Sequence, residues 1–282
     1  MTERKASDTA QGVAVLRAFH QLIDGEPKIV DDPIIVRLLD EATLLRIQEH
    51  PEEYQVPHRR ALLSNVLIRS RFAEDHLTDA VARGIKQFVI LGAGMDTFAY
   101  RQPAWADGLP IFELDHPASQ SVKRRKLEAA GIPTPPNLEY VEVDFENTSL
   151  PSALVRSHFN LRAPAFFSCL GVLMYLTEKA VDAILQFVAS MPRSSEMVFS
   201  FANKGSASDV PNPPSIIERN AEALGEPWLT KFQPDTLAEK LRNLGFSDIQ
   251  FLTPAMIAEQ YIHDRQDGLV APKRASIVSA KV

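Results

Sequence analysis

Glycines at 92 and 94, an aspartate at 115 and an arginine at 69 stand at spacings that can hold a nucleoside-bearing ligand. Gly92 and Gly94 close the stretch Q-F-V-I-L-G-A-G-M-D-T, in which Phe88, Val89, Ile90 and Leu91 read as a strand buried on both faces of a parallel sheet. Glycine lets the backbone turn sharply and approach a ligand closely, so Gly92, Ala93 and Gly94 are candidate contacts. In open α/β sheets ligands bind outside the strand ends at a switch in strand order. The next strand, 110–115 (P-I-F-E-L-D), sets Asp115 about 20 residues beyond the glycines, where a carboxylate accepts hydrogen bonds from ribose hydroxyls.

The same spacing occurs in nicotinamide-dependent enzymes, so two ligand classes stay open at this point. The dinucleotide fingerprint wants a third glycine, which lets a helix N-terminus sit against a pyrophosphate. Here that position is Thr97, and Asp96 puts a negative charge where the phosphates would lie. The pair disfavours an NAD(P)-dependent oxidoreductase. It suits S-adenosyl-L-methionine, whose amino-acid end carries an ammonium beside a sulfonium.

L-G-A-G-M-D-T followed by F-E-L-D-H-P resembles the leucine carboxyl methyltransferase family of class I methyltransferases, and most closely its bacterial and fungal small-molecule branch. The likeness runs from Asp32-Pro33 to the C-terminal strand. It implies a Rossmann-like α/β fold: a seven-stranded, mostly parallel sheet with an antiparallel last strand, an N-terminal helical cap and an inserted lid. It also implies S-adenosyl-L-methionine as cofactor. The family has an acid followed by an apolar residue at Asp144-Phe145, a pair that would flank the adenine; a turn cap is the competing role for Asp144. Many members carry a cofactor-binding Glu where this chain has Leu170. Tyr175, in the similar L-M-Y-L stretch, is a candidate substrate contact, and a core tyrosine is the alternative.

Helical periodicity over 61–83 lines up Leu62, Val66, Ala73, Leu77 and Ala80, with Arg69 inside that stripe and Arg71 roughly opposite. A guanidinium on a buried face is costly unless an anion meets it. That anion is either a structural carboxylate or the carboxylate of the methionine moiety. The resembled family has an arginine just before its glycine motif, and Arg69 matches it better than Arg17 does.

The supporting elements follow from the same pattern. Strands are expected at 138–143, 165–168, 197–201, 249–252 and 275–280, and helices at 13–23, 118–129, 215–224 and 234–244, with a short one over 254–261. Asp31-Asp32-Pro33 reads as a helix start. Thr177 reads as an N-cap without a full capping box, because Ala180 stands where Glu would complete it. The K-R-R-K run at 123–126 is expected to be a solvated face. Residues 204–214, rich in Gly, Ser, Asn and Pro, read as a mobile loop. The organisation expected is a helical cap over 1–84 and a core over 85–282, with the lid inserted at about 203–232.

The chain has 282 residues, 45% hydrophobic and 23% charged, which are ordinary values for a soluble globular protein. A net charge of −6 without basic blocks leaves no footprint for nucleic acid or an anionic membrane. One cysteine, Cys169, excludes an internal disulfide and a cysteine-based zinc site. No metal-ligand spacing, membrane-length apolar run or secretion signal is present, so a cytoplasmic enzyme with a small-molecule partner is expected. Composition leaves oligomeric state open. An activated methyl needs an aligned nucleophile; a carboxylate acceptor is already ionised, whereas a hydroxyl needs a base. No base stands in a motif position, and His116, His158, His20 and His76 are weak candidates. The expected activity is O-methylation of a small molecule, with an NAD(P)-dependent oxidoreductase or a non-catalytic S-adenosylmethionine-binding regulator as alternatives.

Overall fold

The computed structural model describes residues 8–205, 215–274 and 276–282. Helices α1 (Asp8–Leu22), α2 (Pro33–Arg37), α3 (Glu41–Glu49), α4 (Glu52–Gln55) and α5 (Pro57–Ala82) precede the first strand. The strands are β1 (Phe88–Leu91), β2 (Ile111–Asp115), β3 (Leu138–Glu142), β4 (Phe166–Cys169), β5 (Glu196–Ser200), β6 (Asp248–Phe251) and β7 (Ile277–Lys281). Helices α6 (Pro117–Ala129), α7 (Leu150–Leu154), α8 (Glu178–Ala189), α9 (Ile216–Ala223), α10 (Pro234–Leu244) and α11 (Pro254–Ile257) connect them. Residue 275 of the expected last strand, 206–214 of the expected mobile loop and 1–7 of the polar N-terminus lie outside the described residues.

The seven strands run in the order β3-β2-β1-β4-β5-β7-β6. Pairings from β3 to β5 are parallel, and β7 is antiparallel to both β5 and β6. This is the expected sheet. Phe88 stands opposite both Ile111 and Phe166, so β1 is central. The chain steps outward through β2 and β3 and then returns to β4 on the other side of β1. The carboxyl ends of β1, β2 and β4 therefore flank the switch in strand order, the place at which open α/β sheets bind ligands.

Alternation along β1 explains why the run is wholly apolar. Val89 and Leu91 face one layer with Phe112, Phe167 and Leu185, while Phe88 and Ile90 face another with Ile68, Phe72 and Leu77 of α5. In the first layer Phe159 meets Phe112 edge-on at 5.4 Å and Phe167 at 6.2 Å. Each such pair adds about 0.5–1.5 kcal/mol beyond the area it buries. A third cluster, including Phe19, Ile35, Ile47, Leu63 and Leu67, joins α1 to α3 with the first half of α5. Helix α5 has 26 residues and is thus roughly 39 Å long, enough to serve both the helical layer and the sheet. It stops at Gly84 (φ +102°), where Gly84 N–H donates to Val81 O and Ile85 N–H to Ala80 O. That pair of bonds satisfies carbonyls the helix leaves open.

One expectation is corrected. Lys123 is not solvated: it is 1% exposed and donates to Glu113 Oε2 at 2.5 Å. Glu113 lies on the face of β2 that α6 covers, and a carboxylate there demands a cation from the covering helix. Arg124 and Arg125 do face solvent. Helices α1 and α5 also begin earlier than their apolar patterns suggest. Thr177 does cap α8, accepting from Ala180 N–H. Among the described residues no helix is long and apolar enough to cross a membrane.

Candidate active site

The glycine turn after β1 is held open by backbone geometry. Gly92 and Gly94 adopt φ of +70° and +50°, a region L-residues with a Cβ rarely enter. At Gly92 a Cβ would also lie 2.3 Å from Val172 Cγ2, in the loop that follows β4. Gly94 meets Ala10 of α1 instead, at 3.5 Å from where a Cβ would stand. So two elements close over the turn: the β4 loop from one side and the first helix from the other. Gly92 and Ala93 N–H both donate to Leu114 O, which locks the turn to β2.

Asp115 ends β2 against that turn. Its Oδ2 accepts from Gly94 N–H at 2.5 Å and its Oδ1 from His116 N–H at 2.6 Å. Burial pushes its pKa up, more than those two hydrogen bonds and the Lys123 charge pull it down. Asp96 faces inward beside Arg69 and Arg101 and accepts from Phe98 N–H at 2.8 Å. His116 is committed to the scaffold: its Nδ1 accepts from Ala118 N–H and caps α6. His20 is likewise engaged on both ring nitrogens, with Asp24 on Nδ1 and the Ile29 N–H on Nε2.

The two candidate arginines differ in what meets them. Arg17 bonds Asp32 Oδ2 at 2.5 Å and Thr97 Oγ1 at 3.0 Å, within a buried network that also takes in Arg101 and Glu74. Asp32 also caps α2 through Ile35 N–H. Arg69 has no ion pair and no hydrogen bond among the described residues. Its guanidinium rests against Gly171 (φ +76°) so closely that a Cβ there would lie 2.7 Å from Nη1 and 2.8 Å from Nη2. Burial lowers its pKa to about 10, with Arg17 pushing the same way and Tyr175, Asp96 and Cys169 opposing. It is therefore a cation at neutral pH that no carboxylate among the described residues meets at ion-pair distance, with Asp96 in its vicinity.

The adenine candidates sit at the end of β3. Asp144 accepts from Glu146 N–H at 3.1 Å and from the Asn147 amide at 2.8 Å, which is the turn-capping arrangement. Phe145 is partly buried against the core. Leu170 packs with the layer that contains α5. Tyr175 lies in the short turn Leu173–Tyr175, near Arg69, and burial is the main cause of its raised pKa. The structure thus brings Arg69, Gly92, Ala93, Gly94, Asp115 and Tyr175 to the carboxyl ends of β1, β2 and β4, with Asp144 and Phe145 at the end of β3.

The sequence gives no role to Gly171 or Val172. Gly171 carries a signal, since a glycine just past a strand end is a turn residue. Val172 owes its place to tertiary packing. Among the described residues no group of three or more His, Cys, Asp or Glu could hold a metal ion.

Comparison with known proteins bears on the family and the fold. A family model described as Leucine carboxyl methyltransferase matches residues 10–189. YktD of Bacillus subtilis, whose name proposes an S-adenosyl-L-methionine-dependent methyltransferase, is 31% identical over 294 residues, covering 96% of each chain. A Mycobacterium marinum protein named for the same proposed activity is 30% identical over 227 residues, covering 78% of this chain and 72% of its own. Among solved structures, a protein of Thermobifida fusca described as a proposed methyltransferase has a TM-score of 0.58 at 15% identity, over 98% of this chain and 95% of its own. A DUF574 family protein of Streptomyces avermitilis gives 0.55 at 16% identity, over 98% and 97%. At such identities the structural likeness shows the fold.

Proposed function

The chain belongs to the leucine carboxyl methyltransferase family and is an S-adenosyl-L-methionine-dependent methyltransferase; on that premise we propose that it methylates an oxygen, on a carboxylate or a hydroxyl, of a small-molecule acceptor. The residues present fit the cofactor. Gly92 and Gly94 keep the turn in a conformation that favours glycine, packed against Val172 and Ala10, and with Ala93 they would line the cofactor. Asp115 would accept from the ribose, Asp144 and Phe145 would flank the adenine, and Arg69 would hold the methionine carboxylate. When bound, the cofactor supplies a methyl group already activated by positive sulfur. What the protein adds is alignment and exclusion of water, and alignment alone can account for many orders of magnitude in rate.

The observation that carries this reading is Arg69, a partly buried guanidinium beside the glycine turn that makes no ion pair or hydrogen bond among the described residues. A fold seldom keeps such a charge unless a ligand completes it. Between the two acceptor types the carboxylate is favoured. His116 caps α6 and His20 is bonded on both nitrogens, so neither is free to take a proton. A carboxylate arrives ionised and needs no base. The described part of the inserted segment, 215–232, and the helical layer of α1 to α4 would then shape the acceptor side, while Arg69 of α5 and the core from β1 onward would bind cofactor. A net charge of −6 without basic blocks supports a small-molecule partner over nucleic acid or an anionic membrane, and a cytoplasmic location is part of the same proposal.

Incubation with cofactor labelled in the methyl group, against separate sets of carboxylic acids and phenols, tests the proposal. Methyl esters release volatile methanol in base and aryl ethers do not. Base-labile label is the expected outcome. Cofactor binding without transfer to any oxygen would leave the non-catalytic regulator as the better reading.

A further inference from the structure

Side chains along β5 alternate between two layers. Met197, Phe199 and Phe201 enter the layer of Val89 and Phe167, while Val198 enters that of Ile68, Phe72 and Leu77 of α5. The period of two puts Glu196 and Ser200 on the Val198 face. Glu196 shows how α5 crosses that face, since it accepts from His76 of α5 and from Arg83 just past the helix. The end of α5 thus lies by the start of β5, and the part that carries Arg69 lies by the strand's end. Ser200 is 2% exposed there. A hydroxyl so buried needs a partner, and Ser200 Oγ accepts from Gly171 N–H at 2.7 Å.

Gly171 is the residue on which the Arg69 guanidinium rests. Strands β4 and β5 stay in register up to Cys169 and Phe199. Past that pair the chain turns away at Gly171, with φ of +76° and its N–H held by a side chain. A second tie fixes the other partner. Asn65, one helical turn before Arg69, donates from Nδ2 to Ser276 Oγ at 2.9 Å, and Ser276 O accepts from Phe201 N–H at 2.9 Å. The end of β5 is therefore fastened to the turn after β4 through Ser200, and to the Arg69 region of α5 through Ser276.

We infer that Ser200 is a positioning residue for the cofactor: by holding the Gly171 N–H it sets the turn that seats the Arg69 guanidinium, and with it the place where the methionine carboxylate is held. This rests on Arg69 being the group that holds that carboxylate. A guanidinium meets a carboxylate through two parallel N–H groups only when its plane is correctly set. No carboxylate among the described residues fixes Arg69 at ion-pair distance, so the backbone it rests against has that task. Without the Ser200 hydroxyl the Gly171 peptide is released, and a glycine has wide conformational freedom. The loss then falls on ligands that carry a carboxylate and spares those that do not.

Two ligands measured on the full chain test this: S-adenosylhomocysteine, and its decarboxylated analogue, which keeps the adenosine, sulfur and amine. The wild-type protein should prefer S-adenosylhomocysteine, and Arg69→Met should abolish the preference. Ser200→Ala should cut the preference about fivefold, the size of one hydrogen bond to a backbone N–H, with the analogue's affinity unchanged. Added to Arg69→Met, it should alter neither affinity. A merely structural role would weaken both ligands alike, or lower the melting temperature at a constant ratio of affinities. A constant ratio in Ser200→Ala, with the preference lost in Arg69→Met, overturns the role of Ser200 and leaves the cofactor reading standing. Equal wild-type affinity for the two ligands overturns the assignment of Arg69 to the carboxylate, and binding of neither overturns the cofactor reading; each result removes the role of Ser200 as well.

Discussion

The guanidinium of Arg69 lies against the backbone of Gly171, with Nη1, Nη2 and Cζ at 2.7, 2.8 and 2.9 Å from the point a Cβ would occupy. Helix α5 thereby delivers a cation to the carboxyl end of β4, across from the glycine turn of β1. The contact is possible only because residue 171 has no side chain and adopts φ of +76°. Sequence position, backbone conformation and charge placement are coupled at this one point.

Replacing the charge separates a ligand-binding role from a structural one. Arg69→Met removes a partly buried cation that no carboxylate among the described residues meets at ion-pair distance, so the ligand-free protein should melt at the same temperature or higher. Affinity for S-adenosylhomocysteine should fall about tenfold to a hundredfold, or ~1.4–2.8 kcal/mol. Thermal unfolding and calorimetric titration of the same samples check both. A lower melting temperature with unchanged affinity would assign Arg69 to the scaffold.

Gly171→Ala should displace the guanidinium and strain the backbone at once. A left-handed conformation costs an L-residue roughly 1–2 kcal/mol, and the methyl would collide with Arg69. Both melting temperature and S-adenosylhomocysteine affinity should drop. In an Arg69→Met background the further loss of affinity on adding Gly171→Ala should be small, because the displaced group is already gone.

Asp115 links cofactor binding to pH. Its pKa is raised above the ordinary aspartate value, burial being the chief cause, so it takes up a proton at a higher pH than a free aspartate does. A protonated carboxyl has less capacity to accept from ribose hydroxyls. S-adenosylhomocysteine affinity should therefore be full above the raised pKa and decline as pH falls through it. Asp115→Asn should bind about tenfold more weakly, or ~1.4 kcal/mol, with a flatter profile over that range. Titrations across the acidic range would show the difference as about one order of magnitude in the dissociation constant.

Acid stability should depend on a different carboxylate, at the other end of the sheet. Burial works to raise the pKa of Glu196, but hydrogen bonds from His76 and Ser279 and the charges of His76 and Arg83 outweigh it and bring the pKa below the usual glutamate value. Such a group stabilises the fold above its unfolded pKa, and that contribution is lost as pH falls through the lower, folded value. Denaturant melts of the protein should lose stability on acidification below the ordinary glutamate range. Glu196→Gln should be less stable at neutral pH and lose less on acidification.

The fold was legible because its signals are local. The apolar run 88–91 ends in Gly92 and Gly94, and the strand at 110–115 ends in Asp115; together they mark the candidate site before any contact is known. Arg69 stood out because periodicity placed a charge inside an apolar stripe. Lys123 was misread for the converse reason: its neighbours in K-R-R-K look solvated, and only the pairing of α6 with the Glu113 face of β2 shows that it is enclosed. Ser200 and Gly171 lie 29 positions apart in sequence, and no period or motif connects them. Their meeting is a product of the parallel pairing that sets β5 beside β4.

The central claim is that one site, formed by Arg69, the Gly92–Gly94 turn and Asp115, binds the adenosyl cofactor. Calorimetric titration of the full chain with S-adenosylhomocysteine, beside an identical titration with NAD, tests it most directly. The account predicts saturable one-to-one heat with S-adenosylhomocysteine, weakened by Arg69→Met, and none with NAD. Heat from NAD alone, or S-adenosylhomocysteine binding that Arg69→Met leaves untouched, would contradict it.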